Sequence, residues 1–286
     1  MNERHTLKRK IAKVLFALKS MKTLLNRNAD RRALVLDILR KPFYDQDTKR
    51  ELELVRHIFT NQEKQKVIQD IFDSPYYSQD TSGDPYHENF SWFIDEVNKL
   101  EKPHILELGA RKVNQKDWFT GYGEYVVFDI HEDEDVDVAG DIHQLSTYFE
   151  AGRFDAVFMV SVMEHLAMPW KAMLEINKVM KPGALLYTST HPVWPAHALP
   201  WDFWRYTKET FPVLLNRFTG FEVLRCDEGL PCMVLPFGKD VALKHLHREP
   251  ANLGVSMVAR KTGEVDDRLT WGLEVDEMID SVYPKV

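Results

Sequence analysis

Three acidic side chains follow apolar runs in the middle of the sequence, at a spacing that suits nucleotide chemistry. Glu107 precedes Gly109 at the end of one run, Asp129 ends the next run, and Asp141 follows a second glycine. An apolar run that ends in Glu-x-Gly is typical of a buried parallel strand entering a tight turn. An acid at the end of the next strand of a βαβ unit is placed to accept both hydroxyls of a ribose. The stretch therefore predicts a strand-end site for the ribose of a nucleotide-type ligand.

Alternating strands and helices surround these acids and predict an α/β domain. Strands are predicted at 104–108, 125–129, 154–160, 184–189, 221–226 and 254–260. Helices are predicted at 87–101, 168–180 and 207–218, with short helical stretches within 113–120 and at 141–145. Residues 131–138 are acidic and predict a surface loop. The long loop 190–206 is rich in proline and aromatic residues, which favours a functional role for it.

Length and composition predict a globular protein with three parts. The 286 residues are 44% hydrophobic and 12% aromatic, enough for one large domain with an appendage. We expect a helical N-terminal extension (1–84), an α/β domain (85–263) and an acidic tail (264–286). The two cysteines indicate neither a disulfide framework nor a zinc site, so a reduced, cytoplasmic setting is expected. The histidines and acids lack tight ligand spacing, so no metal is predicted.

Charge is distributed unevenly along the chain. Residues 1–43 hold twelve Lys/Arg against three Asp/Glu, whereas the net charge of the whole chain is −7. The acidic remainder argues against a nucleic-acid partner. No run of eighteen apolar residues is present, so no transmembrane helix is predicted.

Within the basic segment, residues 5–28 predict an amphipathic helix. One hypothesis is that it lies on an anionic membrane, which would place the protein at the inner face of that membrane. The other is that its apolar stripe packs on the main domain or on a second subunit in a homodimer. Packing is favoured because core-facing stripes are far commoner than membrane-facing ones.

Three stretches, in a fixed order along the chain, carry a resemblance to a known family. They are Ile105–Gly109 with Phe128–Asp129 and Gly140–Asp141, then Phe154–Val157 with Val162–Leu166, then Ile176–Leu186. Together they resemble the class I, Rossmann-like methyltransferases that depend on S-adenosylmethionine, over about residues 85–262. The resemblance implies a doubly wound, mostly parallel seven-stranded sheet with an antiparallel last strand. The Pro200–Thr207 stretch more narrowly resembles methyltransferases of surface-polysaccharide and sugar-modifying pathways.

The resemblance implies S-adenosylmethionine as the cofactor and a role for each matching residue. Gly109 admits the methionine tail and Glu107 meets its amino group. Asp129 accepts both ribose hydroxyls, and Asp141 accepts the adenine amine beside the backbone amide of Ile142. The full predicted set is Glu107, Gly109, Ala110, Asp129, Ile130, Asp141, Ile142, Ser161 and Val162.

Three histidines are the candidates for a base. Methyl transfer is an in-line displacement, so the protein mainly aligns the acceptor, the methyl group and the sulfur. A sugar hydroxyl has a high pKa, and histidine is suited to take its proton near neutral pH. The candidates are His165, His191 and His197. The last two are favoured because His165, beside Glu164, also fits an architectural role.

The long loop supplies the predicted acceptor contacts, which are Trp194, Asp202, Trp204, Arg205 and Tyr206. Three tryptophans of the loop, Trp194, Trp201 and Trp204, either stack on sugar faces or cover the core. Asp202 and Arg205 are three residues apart, close enough to pair within one turn. Arg205 either grips a carboxylate or phosphate of the acceptor or pairs with Asp202 to fix the loop.

Taken together, these residues predict methyl transfer to an oxygen of a sugar, nucleotide-sugar or glycan intermediate. One alternative is methylation of another small molecule, at a carboxylate or a natural-product hydroxyl. Another is a catalytically silent partner subunit that docks other enzymes through residues 1–80, for which Arg111 in the glycine turn is the best support. The basic N-terminus suggests RNA methylation, but the acidic body counts against it.

Overall fold

The computed structural model describes residues 83–110, 114–234 and 250–278, with Lys66, Thr81 and Leu246 as isolated positions. The helices predicted within 5–28, 31–40 and 47–73 lie outside the described residues, as does the turn 111–113 that contains Arg111. Apart from Lys66, the described residues belong to one compact unit that spans residues 80–234 and 245–286.

Seven strands form one sheet in the order β3-β2-β1-β4-β5-β7-β6. They are β1 (His104–Leu108), β2 (Glu124–Asp129), β3 (Val138–Ala139), β4 (Phe154–Val160), β5 (Met180–Thr190), β6 (Phe221–Cys232) and β7 (Ala251–Lys261). Strands β1 to β5 pair in parallel, and β7 runs antiparallel to both β5 and β6. The predicted doubly wound, mostly parallel α/β sheet with an antiparallel last strand is confirmed.

Short helices flank the strands, and all three predicted α-helices are longer than those observed. The α-helices are α1 (Pro85–Val97), α2 (Pro169–Val179), α3 (Thr210–Leu214) and α4 (Val275–Met278). Short 3-10 helices occupy Lys116–Trp118, Ile142–Thr147 and Met163–His165. The prediction of helix over 207–218 is wrong at its end because the Asn216 side chain donates to the Val213 carbonyl and accepts the Phe218 amide, closing a turn instead. No described helix is long and apolar enough to cross a membrane.

The two faces of the sheet carry separate apolar clusters. Alternation along β1 sends Ile105 to one face and Leu106 to the other. Helix α1 covers the Ile105 face through Phe93, and α2 covers the Leu106 face through Ile176. Asp84 caps the start of α1 by accepting the Tyr86 amide, ahead of a proline in the first turn. With both faces covered, the carboxyl ends of the strands form the exposed edge at which a ligand can bind.

Candidate active site

A cleft of about 310 Å³ opens at the carboxyl edge of the sheet. Seven of the nine predicted cofactor residues line it, namely Gly109, Asp129, Ile130, Asp141, Ile142, Ser161 and Val162. Its remaining wall is formed by His131, Gly140, His165, Leu166, Ala198 and Trp201. The cleft lies where the strand order reverses between β1 and β4, which is the binding position of open α/β sheets.

Gly109 lets the turn after β1 pass close to the end of β4. Its φ of +76° is in the region that favours glycine, and an added Cβ would overlap the Val162 side chain. Its amide donates to the Phe128 carbonyl at 2.7 Å, which joins this turn to the end of β2. A side chain at this position would therefore both strain the turn and fill the floor of the cleft.

Asp129 and Asp141 present oriented carboxylates to the cleft. Asp129 accepts the His131 amide at 2.9 Å. Asp141 accepts the His143 amide at 2.9 Å and lies 2.6 Å from His143 Nδ1. His143 Nε2 accepts the Met168 amide, so the ring proton is on Nδ1 and is donated to Asp141. Burial raises the pKa of Asp141, but the hydrogen bonds from His143 outweigh it and hold the pKa below its usual value.

Glu107 and Ala110 do not line the cleft. The Glu107 carboxylate points to the α1 face, where it accepts the Gln115 amide at 3.1 Å and the Tyr125 hydroxyl. Burial raises the pKa of Glu107 to about 7, against the opposing effect of these two hydrogen bonds. Ala110 is buried in the same apolar cluster. Glu107 thus fastens the turn after β1, and its contact with a cofactor amino group stays a prediction.

Ser161 occupies a strained position at the end of β4. Its φ is +54°, which a non-glycine residue adopts at a cost of order 1–3 kcal/mol. The Ser161 amide donates to the Ser189 carbonyl at 2.9 Å, so the ends of β4 and β5 are held together. Its hydroxyl lies 3.2 Å from His191 Nε2. Ser161 therefore connects the cleft to a histidine that follows β5.

The three predicted catalytic histidines converge on one buried carboxylate. Glu164 Oε1 lies 3.3 Å from His191 Nε2, 3.9 Å from His197 Nε2 and 4.0 Å from His165 Nε2. Its other oxygen, Oε2, accepts the Thr190 hydroxyl at 2.7 Å. Burial raises the pKa of Glu164, but the neighbouring His191 and Thr190 outweigh it, so the pKa lies below its usual value. We call these four residues, Glu164 and the three histidines, the Glu164 cluster.

Backbone carbonyls fix the tautomer of each histidine in the Glu164 cluster. Nδ1 of His165 faces the Trp201 carbonyl at 2.7 Å, Nδ1 of His191 faces the Leu253 carbonyl at 3.3 Å, and Nδ1 of His197 faces the Pro195 carbonyl at 3.2 Å. A carbonyl oxygen only accepts, so each Nδ1 carries a proton. In the neutral rings, each Nε2 therefore directs a lone pair towards the interior of the cluster.

Asp202 and Arg205 organise the long loop. Arg205 donates to both carboxylate oxygens of Asp202, at 2.5 and 2.7 Å. The same guanidinium donates to the carbonyls of Trp194, Pro195 and Trp204. The hydrogen bonds from Arg205 to Asp202 hold the pKa of the Asp202 carboxyl well below its usual range. Since the guanidinium is engaged within its own loop, the geometry favours the loop-fixing alternative over a grip on the acceptor.

The other predicted acceptor contacts divide between structural and exposed positions. The Tyr206 hydroxyl is buried and donates to the Met163 carbonyl at 3.0 Å, and Trp204 donates to the Leu166 carbonyl at 2.8 Å. Trp194 is 43% exposed and stacks on His191, with ring centroids 4.5 Å apart. Trp201, for which the sequence left open stacking on a sugar or covering the core, lines the cleft.

Comparison with known proteins identifies the domain that carries this site. Residues 106–188 match the family model described as "Methyltransferase domain". No curated protein matches the chain. Similar solved structures include a SAM dependent methyltransferase from Archaeoglobus fulgidus, with 14% identity, a TM-score of 0.47, and coverage of 61% of this chain and 92% of that one.

Two further solved structures show the same level of similarity. One is an S-adenosylmethionine dependent methyltransferase from Mesorhizobium loti, with 16% identity, a TM-score of 0.44, and coverage of 63% of this chain and 100% of that one. The other is 1,6-didemethyltoxoflavin-N1-methyltransferase from Burkholderia thailandensis with bound S-adenosylhomocysteine, with 16% identity, a TM-score of 0.43, and coverage of 70% and 90%. On the family match, residues 106–188 of the described α/β unit form a methyltransferase domain.

Proposed function

We propose that this protein transfers the methyl group of S-adenosylmethionine to a hydroxyl oxygen of a sugar, nucleotide-sugar or glycan intermediate. The observation that carries the proposal is the Glu164 cluster, which places oriented imidazoles next to the cleft. An oxygen acceptor needs a base because its proton must leave as the new bond forms. The cluster supplies that base at the edge of the sheet where parallel-sheet enzymes bind their ligands.

The order of the strands assigns a direction to the cleft. Asp141 follows β3, Asp129 follows β2 and Gly109 follows β1, so adenine, ribose and methionine contacts would succeed one another across the sheet. We call these three residues the adenosyl end. Ser161 follows β4 and His191 follows β5, which continues the row beyond the methionine. The Glu164 cluster therefore forms the acceptor end, where the methyl group leaves the sulfur.

His191 is the base that this arrangement favours. Ser161 lines the cleft and its hydroxyl lies 3.2 Å from His191 Nε2, so the acceptor's proton can pass through Ser161 to the imidazole. As it does so, the acceptor oxygen attacks the methyl carbon, the carbon–sulfur bond breaks, and its electron pair stays on sulfur. The ionised Glu164 carboxylate, 3.3 Å away, stabilises the imidazolium that forms.

The long loop offers no free guanidinium to an anionic acceptor, because Arg205 donates within its loop rather than into the cleft. A carboxylate or phosphate acceptor would therefore lack the bidentate partner that arginine usually provides, which favours a neutral hydroxyl. Trp194 and Trp201 offer aromatic faces for a sugar ring, since one is exposed beside His191 and the other lines the cleft.

The test is a labelled acceptor screen. The protein is incubated with S-adenosylmethionine that carries a deuterated methyl group, and with matched panels of nucleotide sugars, free sugars, phenolic hydroxyls and carboxylates. We expect mass spectrometry to find the label on a sugar hydroxyl. Label confined to carboxylates or to non-sugar hydroxyls would contradict the proposal, and a reaction without acceptor measures background cofactor hydrolysis.

A further inference from the structure

The Glu164 cluster contains more acceptor atoms than donor protons. Glu164 is fully buried, and its Oε1 atom has no geometrically acceptable hydrogen bond among the described residues. The Nδ1 protons of the three histidines point outward to backbone carbonyls. A buried anion surrounded by lone pairs is stabilised by a cation at its centre.

Three donor atoms of the cluster have the spacing of metal ligands. One oxygen of Glu164 and one nitrogen each of His165 and His197 lie within 4.8 Å of one another. Both histidines approach the same Glu164 oxygen at 3.9–4.0 Å. An ion equidistant from three atoms with two separations of ~4 Å and a third of up to ~4.8 Å would lie ~2.3–2.5 Å from each, a few tenths of an ångström beyond the ~2.0–2.2 Å bonds of zinc to nitrogen and oxygen. Small side-chain shifts therefore close the site around an ion.

We propose that Glu164 Oε1, His165 Nε2 and His197 Nε2 bind a divalent transition-metal cation. Two imidazoles and one carboxylate suit Zn²⁺ better than Mg²⁺ or Ca²⁺, which prefer oxygen ligands. Three protein ligands leave a coordination position open, as in catalytic rather than structural zinc sites. His165 lines the cleft, so the open position adjoins the place where the acceptor would bind.

The surroundings of the two histidines match those of metal-binding imidazoles. A metal-ligating histidine usually donates its other ring N–H to a carbonyl or carboxylate, which fixes the tautomer. His165 donates to the Trp201 carbonyl. His197 faces the Pro195 carbonyl and also the Asp202 carboxylate, at 3.4 Å. The Asp202–Arg205 pair, which organises the loop, thereby also orients a ligand.

The sequence predicts no metal because the ligands do not form a short motif. Glu164 and His165 are adjacent after β4, but His197 comes from the long loop that follows β5. Their proximity depends on how that loop folds back over the end of β4, where the Phe203 amide donates to the Glu164 carbonyl at 2.8 Å. The structure therefore replaces the expectation of no metal with a candidate site.

For the reaction, the bound cation would hold the acceptor oxygen and lower the pKa of its hydroxyl. The proton would still pass through Ser161 to His191, and the oxygen would attack the methyl carbon as described above. This consequence rests on the proposed function, whereas the binding of the ion does not.

The test measures metal binding by the full chain without any acceptor. The protein is stripped with a chelator and titrated with Co²⁺, which reports coordination by visible absorption, and with Zn²⁺ by calorimetry. We expect one equivalent to bind, and His197→Gln to weaken binding at least about tenfold. His197 is partly exposed, so this variant is expected to fold; Glu164→Gln provides a second, buried ligand change. His104→Gln removes a histidine at the amino end of β1 and is the matched control.

Two outcomes would overturn the site. One is Co²⁺ and Zn²⁺ binding that His197→Gln and Glu164→Gln leave unchanged. The other is no binding of Co²⁺ or Zn²⁺ by the stripped protein while its circular dichroism shows that it remains folded. The acceptor screen is independent of both, because a protein that binds Zn²⁺ but methylates no sugar keeps the site and loses only the proposed acceptor.

Discussion

The two ends of the cleft are built in different ways. At the adenosyl end, Gly109, Asp129 and Asp141 each follow their own strand directly, and the sheet sets their positions. At the acceptor end, the Glu164 cluster combines the turn after β4, the end of β5 and the long loop. The first arrangement depends on strand register, and the second depends on the path of a loop. Changes at the acceptor end should therefore alter chemistry and acceptor choice while cofactor binding is retained.

Replacement of His191, the proposed base, should give the largest difference between an effect on the reaction and an effect on cofactor binding. We expect His191→Gln to lower kcat by about 10²–10⁴-fold, because the acceptor proton loses its destination. The dissociation constant for S-adenosylhomocysteine should stay unchanged, since His191 does not line the adenosyl end. Steady-state kinetics and calorimetry measure the two quantities. His104→Gln is the control, and equal kcat values for the two variants would show that His191 is not the base.

A change at Glu107 shows whether this buried carboxyl near the adenosyl end contributes to the stability of the fold. Folding raises the pKa of Glu107 from 4.5 to about 7. The protonated carboxyl therefore stabilises the fold fully below the pKa of the unfolded chain, and this contribution is lost as the pH rises through the pKa of the folded protein. The quantity of interest is the free energy of unfolding of Glu107→Gln minus that of the parent. We expect this difference to rise by up to about 3 kcal/mol as the pH increases from acidic to mildly alkaline. Denaturant unfolding of both proteins across this range gives the difference. A constant difference would contradict the raised pKa.

The orientation of Glu107 illustrates what the sequence already contained. Side chains alternate along a strand, so Glu107 shares a face with Ile105 and not with Leu106 or Leu108. That alternation alone directs Glu107 to the α1 face, away from the cleft. The apolar runs likewise predicted every long strand, because burial on both faces demands continuous hydrophobicity.

Other features depend on contacts that no local pattern encodes. Strand β3 is only Val138–Ala139 and exists through its pairing with the end of β2, so its sequence resembles the acidic loop before it. The Glu164 cluster was predicted as separate histidines, but their convergence on one oxygen requires the fold of the loop. Seven of the predicted cofactor residues line the cleft, and the sequence could place them there because each follows a strand.

Replacement of Asp129 should weaken cofactor binding while leaving kcat unchanged, which is the opposite of the result expected for His191. We expect Asp129→Asn to weaken S-adenosylhomocysteine binding by about 10–100-fold, because charge-assisted hydrogen bonds contribute ~1.5–3 kcal/mol. The asparagine oxygen can still accept the His131 amide, so the turn should be kept. With saturating cofactor, kcat should remain near that of the parent. Asp135→Asn, an exposed acid of the same loop, is the control, and equal affinities for both variants would refute the ribose contact.

The smallest expected effect concerns the loop that holds the acceptor end together. Arg205→Lys keeps the charge but loses the planar fork that contacts both Asp202 oxygens and the loop carbonyls. We expect kcat/KM for the acceptor to fall about tenfold, because a modest displacement of His197 misaligns the cluster. Cofactor affinity should not change. Because Asp202 accepts the His197 amide and also faces its ring, Zn²⁺ affinity should fall together with kcat/KM if the loop orients a metal ligand. A fall in kcat/KM with unchanged Zn²⁺ affinity would instead assign the loop to the acceptor alone.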